Sequence, residues 1–282
     1  MVILKSKISG LKCPLKNRVV SVKNYLLNDG TIYSGEVSLR TNYKKMIPNG
    51  TGKAVFKNND IYIGQWFNGH KHGIGRLIKP QYSDYSGEFV KDNMHGFGKI
   101  IYHNKQIVSV EADWNNNTPR DMCCIIYNDR SKYCGFVRDS TCDLATRSDK
   151  DTFIKHGVGV YYFSENYYIK GTWKNNILQD NKCKIVYPNG SIYEGECNKD
   201  LHPHGHGKIR YVDGSVYMGF WNDGLRNGYG FLRLACGDYY NGYWKNDKKH
   251  YLGIFYSKIA SHAIEFSWNL DTPLHIIRSY YY

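Results

Sequence analysis

The chain has 282 residues, with 38 Lys and Arg against 25 Asp and Glu, a formal net charge of +13. Hydrophobic residues make up 41% and charged residues 22%, the balance of a folded chain, and the absence of any run of about 18 apolar residues excludes a spanning helix. The 26 Tyr and 28 Gly, against only 7 Pro, exclude collagen and a Pro-rich disordered chain and favour strands joined by tight turns.

Residues 1–27 come first as a basic segment. Lys5, Lys7, Lys12, Lys16, Arg18 and Lys23 face only Asp29 within the first thirty residues, a set suited to anionic lipid headgroups at about 1 kcal/mol per residue near a membrane. Asn17–Val22 reads as a capping strand. The apolar start, Val2–Leu4, is too short for the core of a signal peptide. A reduced, cytoplasmic setting is therefore expected for the eight cysteines at 13, 123, 124, 134, 142, 183, 197 and 236, none of which forms a C-x-x-C pair.

From 28 to 253 a repeat dominates. Tyr-x-Gly occurs at Tyr33, Tyr62, Tyr85, Tyr133, Tyr193, Tyr217 and Tyr240, with Ile169 in the Tyr place once and Val108 taken as a degenerate copy. A bulky residue follows two positions after the Gly at Trp66, Phe89, Trp173, Trp221 and Trp244. The Tyr positions are mostly 23 or 24 residues apart; the longer steps hold insertions near 38–45 and 138–155. About ten residues after each first landmark comes a second, Gly-x-Gly led by His or Asn, as in His72-Gly73-Ile74-Gly75 and Asn227-Gly228-Tyr229-Gly230. Alternate residues share one face of a strand, so Tyr, Gly and Trp line up together. Asp29-Gly30, Asn189-Gly190 and Asp213-Gly214 read as type I′ hairpin turns. Each unit is then a hairpin that cannot cover its own apolar face, and stacking on its neighbours supplies the cover. Residues 254–282 hold a last degenerate strand, Ile264–Trp268, and a C-terminal cap.

Chemistry finds no foothold. Gly50-Thr51-Gly52-Lys53 lacks the first Gly and the hydroxyl of a P-loop. His202, His204 and His206 alternate as metal ligands on a strand do, but His204 falls at the same repeat position as His72, His95 and His156, which argues a structural role. No nucleophile elbow occurs. The expectation is a non-catalytic chain with no cofactor and no metal.

The pairing of Y-x-G-x-W with H-G-x-G at 23-residue spacing resembles the MORN (membrane occupation and recognition nexus) repeat, in eight to nine units over roughly 80% of the chain. The resemblance implies an all-β fold, an elongated, twisted antiparallel β-ribbon of stacked hairpins. It also implies a scaffold for protein–protein interaction, with partner-peptide binding and self-association, and association with phosphoinositide-containing membranes. The partner-binding groove is expected along Tyr62, Trp66, Tyr85, Phe89, Trp173, Tyr217, Trp221, Tyr240 and Trp244, because one face of a thin sheet lacks a second layer. Expected partners are proteins offering a helical or extended segment, or a second copy; nucleic acid is disfavoured because the charge follows no evident groove. The alternative is a peripheral membrane adaptor acting through the basic residues, and the expected location is cytoplasmic with membrane or cytoskeletal association.

Overall fold

In this computed structural model the structure describes residues 19–40, 45–139 and 153–281. Lys5, Lys7, Lys12, Lys16 and Arg18 lie outside these ranges, as do large parts of the two insertions. The described residues form 21 β-strands and no helix. The chain divides into two compact units, Met1–His103 with Trp114–Asn117, and Asn104–Asp113 with Thr118–Tyr282.

The first unit contains β1 (Val19–Leu26), β2 (Ile32–Arg40), β3 (Lys45–Val55), β4 (Ile61–Phe67), β5 (His70–Lys79), β6 (Ser83–Val90) and β7 (Asn93–Tyr102). Each pairs antiparallel with the next, an open meander in sequence order. β8 (Ile107–Asn115) divides between the units. The second unit continues with β9 (Thr118–Tyr127), β10 (Lys132–Asp139), β11 (Phe153–Ser164), β12 (Tyr167–Lys174), β13 (Ile177–Val186), β14 (Ile192–Cys197) and β15 (Pro203–Arg210). It ends with β16 (Val216–Asn222), β17 (Leu225–Arg233), β18 (Tyr239–Lys245), β19 (Lys248–Ser257), β20 (His262–Asn269) and β21 (Thr272–Tyr281). β9 to β21 form a second antiparallel meander of the same kind.

Two kinds of turn alternate, and they correct the expected assignment. At Asp29-Gly30, Asn189-Gly190 and Asp213-Gly214 only the Gly has positive φ, whereas a type I′ turn needs two such residues. The Asp or Asn side chain instead accepts the N–H two residues on, at 2.8–2.9 Å from Thr31, Ser191 and Ser215, which holds its own backbone right-handed. The consecutive pairs with positive φ are elsewhere: Asn68-Gly69, Lys91-Asp92, Asn116-Asn117, Asn175-Asn176, Asp223-Gly224, Asn246-Asp247 and Leu270-Asp271.

The register also moves one unit. In β8 the buried hydrophobic residues are Val110, Ala112 and Trp114, so Val110, not Val108, stands in the Tyr place. Trp114 confirms it by donating its indole N–H to Gly98 C=O at 3.0 Å, as the other repeat tryptophans do one hairpin upstream.

Thiols were expected to be free. The sulfurs of Cys124 and Cys134 are bonded, as are those of Cys183 and Cys197. Cys124 and Cys134 are directly opposed in the β9–β10 ladder, whereas Cys183 pairs with Gly195 and meets Cys197 diagonally on the buried side of neighbouring strands.

Candidate interaction surface

One face of each meander is closed by its own aromatic residues. Gly lies opposite Gly along consecutive strands, as in Gly64↔Gly75, Gly75↔Gly87, Gly207↔Gly219 and Gly219↔Gly230. The preceding Tyr lies flat over the pair: a Cβ added to Gly219 would come 2.7 Å from Tyr217 Oη. In this position the phenol donates to the carbonyl three residues on, at 2.9 Å from Tyr62 to Gln65, 3.0 Å from Tyr85 to Glu88, 2.6 Å from Tyr193 to Glu196 and 3.0 Å from Tyr217 to Phe220. The repeat calls for Tyr because a buried backbone acceptor needs a donor there.

The Trp or Phe two residues past the Gly meets two Tyr rings edge to face. Tyr33 and Tyr62 contact Trp66 at 5.4 and 5.1 Å, and Tyr217 and Tyr240 contact Trp244 at 5.4 and 5.2 Å. The indole N–H donates to a Gly carbonyl one hairpin upstream, from Trp173 to Gly159 at 3.2 Å and from Trp221 to Gly207 at 3.1 Å. Where Tyr is replaced by Val110 or Ile169, no ring covers the glycine row, and the Gly places hold Ala112, Cys123 and Cys183. Leu178 fills the space over Gly171 that Tyr fills elsewhere.

Two features of this face were missed. A cation placed just before the His or Asn of the second landmark extends over the rings. Lys71 Nζ is 5.5 Å from the Phe56 ring, Arg226 Cζ 4.2 Å from Trp244 and Lys249 Nζ 4.8 Å from Trp268. Lys155 Nζ has Tyr161, Trp173, Tyr133 and Tyr127 around it at 4.9–6.0 Å. Burial lowers the Lys71 pKa, with Asp92 opposing it. The signal was in the dipeptides Lys71-His72, Lys155-His156, Arg226-Asn227 and Lys249-His250.

The second is a clamp between successive turns. The N–H groups of Lys71, Met94, Lys155, Arg226 and Lys249 donate to the side-chain oxygens of Asp92, Asn117, Asn176, Asp247 and Asp271, each at 2.8 Å. The backbone N–H of each acceptor donates back to the same residue's carbonyl at 2.9–3.1 Å. Where the upstream residue is Pro48 or Pro203, only the second bond forms, from Gly69 and Gly224. Proline has no N–H, so Asp or Asn has nothing to accept there.

The nine aromatics expected to line an open groove, Tyr62, Trp66, Tyr85, Phe89, Trp173, Tyr217, Trp221, Tyr240 and Trp244, are 0–6% exposed. They form the core, because each ring lies flat on the glycine row and is sealed by its neighbours and by the cation stems. Lys23 is exposed on β1. The apolar surface that a partner can reach is on the opposite face. In the second unit Met218, Phe220, Tyr229, Tyr243 and Tyr251 are exposed on successive strands β16 to β19. The His206 ring sits 3.7 Å from that of Phe220, Tyr229 opposes Tyr243 at 5.4 Å, and Tyr243 touches Tyr251 at 5.8 Å. Tyr251 takes the place of the first Gly of the second landmark and keeps its backbone conformation, with φ +63° against +85° for Gly228 and +65° for Gly205. A bulky residue pays about 1–2 kcal/mol for that conformation. Among the described residues, no group of three or more His, Cys, Asp or Glu is placed to hold a metal ion, and no helix is long and apolar enough to cross a membrane.

A sheet of stacked, near-identical hairpins with a self-sealed aromatic row defines a β-repeat protein. The MORN repeat family model matches residues 62–83, 85–106, 154–166, 202–216, 217–238 and 240–257, so the chain carries MORN repeats at six stretches. That family is a non-enzymatic repeat family, and its repeats generally serve as scaffolds for protein or membrane interaction. No curated protein matches the chain. Among solved structures, the TCP domain of SAS-4 (dCPAP) of Drosophila melanogaster, in complex with a proline-rich motif of Ana2 (dSTIL), aligns over 84% of this chain and 96% of that chain, at 11% identity and a TM-score of 0.17.

Proposed function

We propose that the chain is a non-catalytic scaffold that docks a protein partner on the open face of β16 to β19, with the buried aromatic row as its stiff backing. One observation carries this reading. Tyr251 keeps a backbone conformation that other units give to Gly, and its ring is 63% exposed beside Tyr243. The exposed ring's edge contact with Tyr243 offsets only part of this strain, and such outliers mark working surfaces. The test is Tyr251→Gly. It relieves the backbone and removes the ring, so stability rises by about 1 kcal/mol while partner capture from native extract falls. Unchanged capture, with Phe220→Ala and Tyr243→Ala equally silent, overturns the reading.

Self-association is a second reading, favoured by β21. All ten of its residues are exposed and, among the described residues, it pairs only with β20, so its outer edge offers a row of N–H and C=O groups to another strand. Attachment to anionic membrane draws on the net charge of +13 and on the basic residues from Lys5 to Lys23. Flotation with anionic vesicles at low and high salt tests it; no binding at either salt removes it.

A further inference from the structure

The two cysteine pairs differ in one respect that decides their chemistry. Cys183 and Cys197 are buried on the aromatic side of the sheet, 7% and 2% exposed. Cys124 and Cys134 are half-buried on the opposite, open side. They are directly opposed, with Cα atoms 4.2 Å apart, in a ladder that runs from Met122↔Phe136 to Ile126↔Lys132. Four further register pairs hold the two strands together around them, so both sulfurs stay in place whether or not the bond between them exists. Cys123, next in the chain, points to the buried side, and burial pushes its thiol up to about 12. It therefore offers little thiolate and does not compete.

We propose that Cys124 and Cys134 form a thiol–disulfide exchange site for small-molecule thiols and disulfides on the open face of β9 and β10. In the oxidising direction, one cysteine loses its proton and its thiolate attacks a sulfur of a small disulfide. A mixed disulfide forms and one small thiolate leaves, taking up a proton. The opposed cysteine, deprotonated in turn, attacks the protein sulfur of the mixed disulfide and expels the second small thiol. The protein pair has lost two electrons and two protons, and the small disulfide has gained both. Reduction is the same sequence reversed. Exchange requires the attacking thiolate to reach a sulfur, which the open pair permits and the buried pair refuses until the sheet opens.

The full chain is treated with reduced glutathione without denaturant and quenched with iodoacetamide over time, and each cysteine is followed by peptide mass spectrometry. Cys124 and Cys134 become alkylated together, well ahead of Cys183 and Cys197, and oxidised glutathione added to the reduced chain before the quench protects both again. Cys134→Ser leaves the first step without a resolving partner, so Cys124 retains glutathione as a stable adduct that the unsubstituted chain releases; Cys124→Ser does the same at Cys134. The proposal is overturned if the buried pair reacts as fast as the open pair. It is also overturned if Cys124 and Cys134 remain alkylatable after oxidised glutathione, or if either is found bonded to a different cysteine. The time course of the unsubstituted chain stands even where a Ser variant does not fold.

Discussion

Gly75→Ala measures how tightly the Tyr ring binds the repeat to glycine. The new Cβ would lie 2.5 Å from Cε2 and 2.6 Å from Cζ of Tyr62, so the ring must retreat by about 1 Å to reach ordinary contact. Tyr62 is fully buried, with Trp66 and Phe89 each 5.1 Å from its centre. Overpacking such a site costs about 1–3 kcal/mol. Moving the ring also breaks the 2.9 Å bond to Gln65 C=O, and a buried acceptor left without its donor costs about 1–3 kcal/mol more. The expected loss is about 2–5 kcal/mol in urea denaturation. Gly75 has no positive φ, so the loss is steric and should vanish when the ring is gone. In a Tyr62→Ala background Gly75→Ala becomes nearly neutral, and the double-mutant cycle gives a coupling of about 2 kcal/mol or more. A coupling under about 0.5 kcal/mol would refute the account, because the glycine would then be required by the backbone and not by the ring. Gly171→Ala is the internal comparison. Its Cβ meets only the end of Leu178 and a carbonyl at 3.3 Å, so it should cost less than Gly75→Ala by about 1 kcal/mol or more.

The turn clamp predicts an asymmetry: Asn176→Gly removes the acceptor for Lys155 N–H, costs about 1 kcal/mol and speeds hydrogen exchange at that amide, whereas Gly224→Asn gains nothing because Pro203 has no N–H to donate. Alkaline titration should unfold the chain. Burial holds Tyr33 up to about 12 and raises Tyr62, Tyr85, Tyr133, Tyr193, Tyr217 and Tyr240 as well, from an ordinary 10.0. The unfolded chain ionises near 10.0 while the folded one stays protonated, so this stability is complete below that pH and is lost as pH rises toward the folded values. The tyrosinate absorbance of these seven should appear only as β-sheet circular dichroism is lost; ionisation of all the chain's tyrosines with the sheet still intact would contradict the burial. Ile276→Lys places a charge on the exposed strand β21 and should lower self-association in sedimentation velocity without changing the melting temperature.

What the sequence determined was the repeating unit. Tyr, Gly and Trp at alternate positions, recurring at 23 or 24 residues with a second Gly-x-Gly, leave few options besides stacked hairpins, because period two fixes the face and Gly excludes helix. The basic pattern of turns was legible too, though not their type. Asn189-Gly190 looks like a type I′ signal, and only the folded backbone shows the Asn side chain capturing Ser191 N–H and holding one residue right-handed. The side of the sheet that remains open was decided by tertiary structure. An aromatic stripe in a sequence does not say whether its rings stand up into solvent or lie down on a neighbour. Here the glycine row gives them a flat bed, each hairpin seals the ring of the one before, and Tyr62 or Trp221 becomes core. Phe220, Tyr229 and Tyr243, which occupy variable positions inside the landmarks, are left as the surface. The cysteine pairings depended in the same way on register across strands. Cys124 meets Cys134 because a turn of known length places them opposite each other, a relation between strands that composition and spacing do not carry.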